Sequence, residues 1–373
     1  MRTLLGLLLG LLVLATGAAI ASERPDALGR RVDSIPQSVL LSQPATALVD
    51  GARQAGALRR AHWTVTGWIL IQIFEAIALF YLWSSGGAAG LRDWLRKRVA
   101  QEWNVRFLFG AALALVARLA ALIPSFYLYR VDRTLDLTFE LTRWWLLYWA
   151  FHTILGMVIA GVIAAVVLGL VARTHQWYVY TIIAILAASV GWAYARPYVT
   201  LPDAHALFVH PPHSQVTVMV EGLPGSTPPE IDYLAAFELG HVVHGDALSI
   251  ALIEGGVIIV FASIAVFIAD RIRFRRDDDP LSRLAIVGAL LALVYIVAVP
   301  VRNAAVRAYD FDADKYAVAL TRDPGAAVRA LVRSADERMI EVCPEWTARL
   351  FLYTAPGTGA RVAAINRVPS ACP

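Results

Sequence analysis

The chain has 373 residues, of which 58% are hydrophobic and only 17% charged, with a mean hydropathy of +0.59. That balance excludes an ordinary soluble domain and a disordered polymer, both of which carry far more charge per apolar residue. The net charge of +4 is almost all arginine, Lys97 and Lys315 being the two lysines, and no array of basic and aromatic residues suited to nucleic acid accompanies it.

In chain order, Met1-Arg2 precedes an apolar run from Leu4 to Ile20 with a small-residue exit at Ala19-Ile20-Ala21-Ser22. A charged start and a short apolar stretch make residues 1–21 a signal peptide or, if retained, a first membrane helix. Residues 22–62 read as an extramembrane segment. Six later runs can cross a hydrocarbon core of ~30 Å as helices: Trp63 to Trp83, Phe107 to Tyr127, Trp144 to Ala172, Trp177 to Ala195, Leu248 to Ala269 and Leu284 to Val301. Several begin or end in Trp or Tyr, as interfacial belts do. The expectation is an all-α polytopic protein with six to seven transmembrane helices in a lipid bilayer, here a bacterial inner membrane given the bias to arginine. Glu75, Arg118, His152 and Glu254 lie within these runs, where ionisable groups either line a wet interior or pair and snorkel.

Charge in the loops predicts orientation, because Lys and Arg concentrate on the cytoplasmic side. The loop from Ser84 to Arg106 holds Arg92, Arg96, Lys97, Arg98 and Arg106, and Arg271 to Arg283 is densely basic. Both fall on one face. On the other, Pro197 to Ala247 contains no Lys or Arg, although Ser22 to Ala61 contributes six arginines. The second face, which also carries the region after Val301, is therefore expected to be extracytoplasmic. Cys343 and Cys372 lie there, where an oxidising environment permits a disulfide.

The polar segments carry the chemistry. Strand-like runs Ala204 to Val209 and Gln215 to Val220 flank His210-Pro211-Pro212-His213 and predict a hairpin. Thr227-Pro228-Pro229-Glu230 then opens a helix with a capping box. That helix should carry Phe237-Glu238-Leu239-Gly240-His241 and end near Gly245. In an H-E-x-x-H helix two histidines at i and i+4 hold zinc while the glutamate acts as general base. Glu238 and His241 are in place, and Phe237 stands where the first histidine belongs. Without the functional pattern, Glu238 and His241 would be a surface pair at i, i+3. After the last span, Asp310 and Asp314 share one helix face, so Asp310 can reach a metal while Asp314 orients a ligand. Two spans separate the motif segments, so both emerge on one side, as a small α-helical and β-hairpin domain split around the last two spans (residues 197–247 and 302–373, with 63–196 and 248–301 in the membrane).

These segments resemble the type I CAAX prenyl protease family of integral-membrane zinc metallopeptidases. Its H-E-L-G-H helix is matched by Phe237 to His241 with Gly245-Asp246 after it, and its N-x-x-S-R-x-x-E-x-x-A-D helix by Asn303, Arg307, Asp310, Ala313 and Asp314. Its late S-H-P-x-x-x-x-R segment is echoed by Thr354-Ala355-Pro356 and Arg361, and the likeness runs from about Trp63 to Val368. The resemblance implies Glu238 as catalytic base, His241 and Asp310 as metal ligands, and Asn303, Arg307, Asp314, Arg361 and His244 as supporting residues. The departures fall at the working positions: Phe237 for the first histidine, Asp310 for a glutamate, Ala355 for the late histidine. Loss of one imidazole ligand exceeds loss of an outer partner, itself worth ~10–100-fold. Without metal, Glu238 faces a water of pKa near 15.7 rather than about 7. The reading is a membrane pseudopeptidase or scaffold without zinc that binds peptides or membrane proteins. The alternative is an active zinc endopeptidase with an altered ligand set, for which His244, His205, His210 and His213 are the spare donors.

Overall fold

A computed structural model describes residues 32–138, 140–199, 206–221, 225–272 and 279–372. The leader at Leu4 to Ile20, His205 and most of the basic loop 273–278 lie outside the described residues. Helices make up nearly all of it. They are α1 (Gln37–Ser42), α2 (Ala45–Leu48), α3 (Gly51–Ser84), α4 (Gly87–Arg98), α5 (Glu102–Ala120), α6 (Leu122–Thr134), α7 (Thr142–Arg173) and α8 (Trp177–Val199). A hairpin of β1 (Ala206–Val209) and β2 (Val218–Glu221) follows. Then come α9 (Pro228–His244), α10 (Asp246–Arg271), α11 (Pro280–Val306), α12 (Tyr309–Thr321), α13 (Pro324–Glu337), α14 (Trp346–Phe351) and α15 (Thr358–Asn366). Among the described residues six helices are long and apolar enough to cross a membrane, so the chain is an all-α polytopic membrane protein with one two-stranded sheet.

One predicted helix is corrected. The run Phe107 to Tyr127 is not one helix: α5 stops at Ala120 and α6 begins at Leu122. Pro124 has no N–H to give the preceding turn, and its ring crowds the carbonyl four residues back, so the rod breaks there. Residues 51–62, read as part of an extramembrane segment, are helical and continuous with the predicted span that follows, in one helix α3 of 34 residues.

The chain divides into two compact units. The first holds Thr66–Ala187 and Gly255–Val299 among the described residues. In it α5 lies along α7 at a crossing of small residues: a Cβ on Gly110 would stand 2.6 Å from the Ala164 Cβ and 2.7 Å from the Ala160 carbonyl oxygen. Glycine lets the backbones meet, the usual device where lipid removes any hydrophobic drive for helices to associate. Phe109, Val105, Leu79 and Leu281 fill the core, while Phe151, Ile154 and Ile163 of α7 face outward as lipid-facing side chains do. At one end of this unit, Arg96 of α4 pairs with Glu102 at 3.0 Å and Asp279 at 2.7 Å. Arg98 sits 4.3 Å over the Trp94 ring.

The second unit gathers residues 32–65, 188–254 and 300–372 among those described. Its hairpin is antiparallel, Leu207 opposite Val220 and Val209 opposite Val218. Val218 and Val220 point into a cluster with Ala235 and Leu239 of α9. The α9 helix opens at Pro228, where the Glu230 carboxylate accepts the Thr227 amide at 3.0 Å, and ends at Gly245, whose φ of 68° closes the last turn. Glu230 is fully buried and is held by Arg333, Nε to Oε2 at 3.0 Å. The segment 32–50 packs Leu40 and Leu48 against Val328 and Val332 of α13. The Asp50 amide donates to Asp336 at 3.1 Å, and Asn366 donates to the Leu40 carbonyl at 2.9 Å. Cys343 and Cys372 form a disulfide that ties the end of the chain to the loop after α13.

Candidate functional site

The site grows from one close helix crossing. A Cβ on Gly240 of α9 would stand 3.1 Å from the Ala313 Cα of α12, so glycine lets the two motif helices meet almost backbone to backbone. This brings together residues that are about 70 positions apart in sequence. The His241 Nε2 lies 3.7 Å from the Asp310 Oδ1. Its Nδ1 is 2.7 Å from the Asp246 Oδ2, so that carboxylate accepts from one ring nitrogen and fixes the ring with Nε2 turned toward Asp310. Glu238, three residues before His241 on α9, is exposed.

Phe237 fills the place of the missing imidazole. Its ring stands edge-on to His241, centroids 4.7 Å apart and planes at 86°. The Arg361 guanidinium also lies 4.7 Å from the ring centroid. Arg361 is clamped by Asp314, Nε to Oδ2 at 2.8 Å and NH2 to Oδ1 at 2.7 Å, in the fork geometry that arginine and carboxylate favour. The Tyr233 hydroxyl donates to the same carboxylate at 2.5 Å. Burial pushes the Tyr233 phenol well above its ordinary value; Arg361 opposes that shift and Asp314 adds to it. For Arg361 burial acts to lower the pKa, but Tyr233, Asp314 and Asp310 outweigh it, so the guanidinium stays charged.

The remaining sequence candidates have other partners. Asn303 donates to the Leu350 carbonyl at 2.9 Å, and Arg307 donates to the carbonyls of Arg349 at 2.5 Å and Tyr353 at 3.2 Å, so both brace α14. His244 is exposed and meets Tyr316 edge-on at 5.9 Å. His210 bonds Thr217 at 3.0 Å across the hairpin, and His213 sits in its turn with φ of 60°. Of the ionisable residues in the spans, Glu254 is paired with Arg302, Nε to Oε1 at 2.9 Å, and His152 bonds the Tyr148 carbonyl of its own helix at 2.9 Å. Tyr233 was not legible as a site residue, and Asp246 was matched as part of the motif without a role. Asp246 is five positions past His241, off its helix face, and only the left-handed turn at Gly245 swings it back.

Do these donors fit a zinc ion? Two ligand atoms ~2.1 Å from a tetrahedral ion stand about 3.4 Å apart, so His241 and Asp310 at 3.7 Å are close to a ligand pair. The third protein ligand that catalytic zinc requires is absent from the set, because its position carries a phenyl ring. No group of three His, Cys, Asp or Glu side chains that could hold a metal occurs among the described residues. The donor set does not fit the ion.

Two crossed motif helices that set a histidine against an acid, in a chain with six candidate membrane spans among the described residues, define the scaffold of a membrane metallopeptidase family. The chain belongs to peptidase family M48, whose model matches residues 162–368, more than half of its length. That family is one of zinc-dependent metallopeptidases. Among curated proteins it is similar to Protease HtpX homolog 1 of Streptomyces coelicolor, 30% identical over 168 residues, which are 43% of this chain and 54% of that relative. It is also 31% identical over 157 residues to the Protease HtpX homolog of Ralstonia pickettii, covering 41% of this chain and 54% of the relative. A shorter match to Protease HtpX of a Psychrobacter species is 40% identical over 57 residues, 14% of this chain and 19% of the relative. The chain thus spans about half the length of the curated relatives it matches. With the six spans, these bacterial relatives point to a multi-pass inner-membrane protein.

Proposed function

We propose that this M48 protein is a pseudopeptidase: a membrane scaffold that binds peptides or membrane proteins without cutting them and holds no zinc. One observation carries the reading, the Phe237 ring in contact with both His241 and Arg361 at the position of the motif's first histidine. A phenyl ring offers a metal no lone pair, and with two donors the site lacks the minimum for catalytic zinc. Ala355, at the late histidine position, removes a second working group. Zinc analysis of the purified protein and a casein or prenyl-peptide cleavage assay test it. The expected result is neither zinc nor cleavage; stoichiometric zinc lost in His241→Ala, with cleavage lost in Glu238→Gln, would overturn it.

A second reading is favoured by the Asp246–His241–Asp310 line, which keeps the orientation a zinc ligand needs. In that reading the protein is an active endopeptidase with Glu238 as base, His241 and Asp310 as ligands and a third donor not yet seen, and the same assays decide between the two. Within the family, the likeness to type I CAAX prenyl proteases rests on the three motif segments, whereas the curated relatives carry the HtpX name.

We also place the motif-bearing unit outside the cytoplasm. The Cys343–Cys372 disulfide supports this, because such bonds persist in oxidising compartments, as do the arginines of α4 on the opposite loop. Alkaline phosphatase fused after Pro373 should be active; an inactive fusion beside an active cytoplasmic reporter at the same point would reverse the topology.

A further inference from the structure

A cleft of about 480 Å³ opens between the end of α9 and the face of α12 turned away from Asp314, lined by His244, Asp246, Tyr309, Asp312, Lys315 and Tyr316. Its size falls within the range of small-molecule sites. Tyr309, Asp312 and Tyr316 are spaced three and four residues apart, so one side of α12 presents two phenol rings with a carboxylate between them. Across the cleft, His244 stands edge-on to Tyr316 and the Asp246 carboxylate is all but buried, one of its oxygens held by His241. Lys315 Nζ contacts Asp312 at 2.9 Å, with both side chains largely exposed, 76% and 62%. A pair so exposed is weakly held and opens readily to another partner.

Position completes the argument. Asp246 is the first residue of α10, a helix long and apolar enough to cross a membrane, so the cleft adjoins the end of a candidate span. Tyrosines at that depth are common as a belt. A belt alone, however, needs neither a buried carboxylate such as Asp246 nor an exposed acid and ammonium beside the rings.

We propose that this cleft binds the headgroup of a zwitterionic phospholipid of the phosphoethanolamine type. The ammonium of the headgroup would meet Asp312, Asp246 and the phenol faces, as cations meet aromatic rings, and its phosphate would meet Lys315 and His244. An anionic headgroup finds two carboxylates opposing it. The site is independent of whether the chain cuts peptides.

The test uses the full-length protein purified in detergent, supplied with phosphatidylethanolamine or phosphatidylglycerol, with bound lipid read by native mass spectrometry. Phosphatidylethanolamine should survive detergent exchange and phosphatidylglycerol should not. The double variant Asp312→Asn, Lys315→Ala, at exposed positions that carry no core packing, should retain about tenfold less phosphatidylethanolamine, while its helix content and lipid-free melting temperature stay those of the parent. Equal retention of the two lipids, or a double variant that keeps phosphatidylethanolamine as the parent does, would overturn the proposal and leave the tyrosines as an ordinary belt.

Discussion

Phe237 and His241 stand one helical turn apart on α9 with their rings at 86° and centroids 4.7 Å apart, so the site keeps the spacing of a ligand pair with one member made apolar. Phe237→His should therefore restore the i, i+4 pair with Asp310 nearby. We expect zinc binding to appear in the variant, measured by metal analysis after gel filtration or by calorimetry. Unchanged zinc content would mean that the helix is not the family's metal helix.

The Asp314–Arg361 clamp is buried, 4% and 14% exposed at the side chains, with Tyr233 closing it. Removing one member of such a pair strands the other charge, at a cost of roughly 3–5 kcal/mol. Asp314→Ala should lower the melting temperature far more than Lys315→Ala, which breaks only an exposed pair. Similar shifts for the two variants would show that the clamp does not hold the second unit together.

Glu341 predicts a pH dependence. It is 3% exposed, its Oε1 has no hydrogen-bond partner, and Tyr353 reaches its Oε2 only at 3.4 Å. Burial pushes its carboxyl up from the ordinary 4.5 to about 7, against the Glu345 backbone amide and the Tyr353 hydroxyl, which hold it down. Between those two values the folded protein binds a proton that the unfolded chain has released, so stability falls as pH rises, by up to about 3 kcal/mol. Asp336, raised by burial to about 6, acts in the same direction. The protein should melt higher at pH 5.5 than at pH 8, and Glu341→Gln should flatten that slope. A parent that gains stability over this range would refute the assignment.

The Cys343–Cys372 bond closes a stretch of 29 positions. A loop of that length constrains the unfolded chain by about 3.6 kcal/mol. Dithiothreitol, or the pair Cys343→Ser with Cys372→Ser, should lower the melting temperature of the second unit by an amount of that order. Maleimide labelling of the non-reduced, denatured protein should find no free thiol; two labelled cysteines in protein taken straight from the membrane would remove the support for an extracytoplasmic location.

The membrane class was legible because a hydrocarbon core demands about 20 apolar residues per span, and six runs met it; the hairpin and the Thr227 start of α9 followed from local turn and capping chemistry that short segments contain in full. The break at Ala121 was signalled by Pro124, but overall hydrophobicity concealed it, since apolar length is blind to a single missing N–H. What the chain determined by itself, then, is where it enters lipid and which positions carry ligand-type side chains, since both depend on residue type and spacing within one segment. Which of those side chains meet was decided only by tertiary structure: the Gly240–Ala313 crossing sets His241 against Asp310, the left-handed Gly245 returns Asp246 to His241, and α14 claims Asn303 and Arg307. Contacts between residues far apart in sequence depend on how closely two backbones can approach, and that is a property of the packed pair of helices and not of either segment alone.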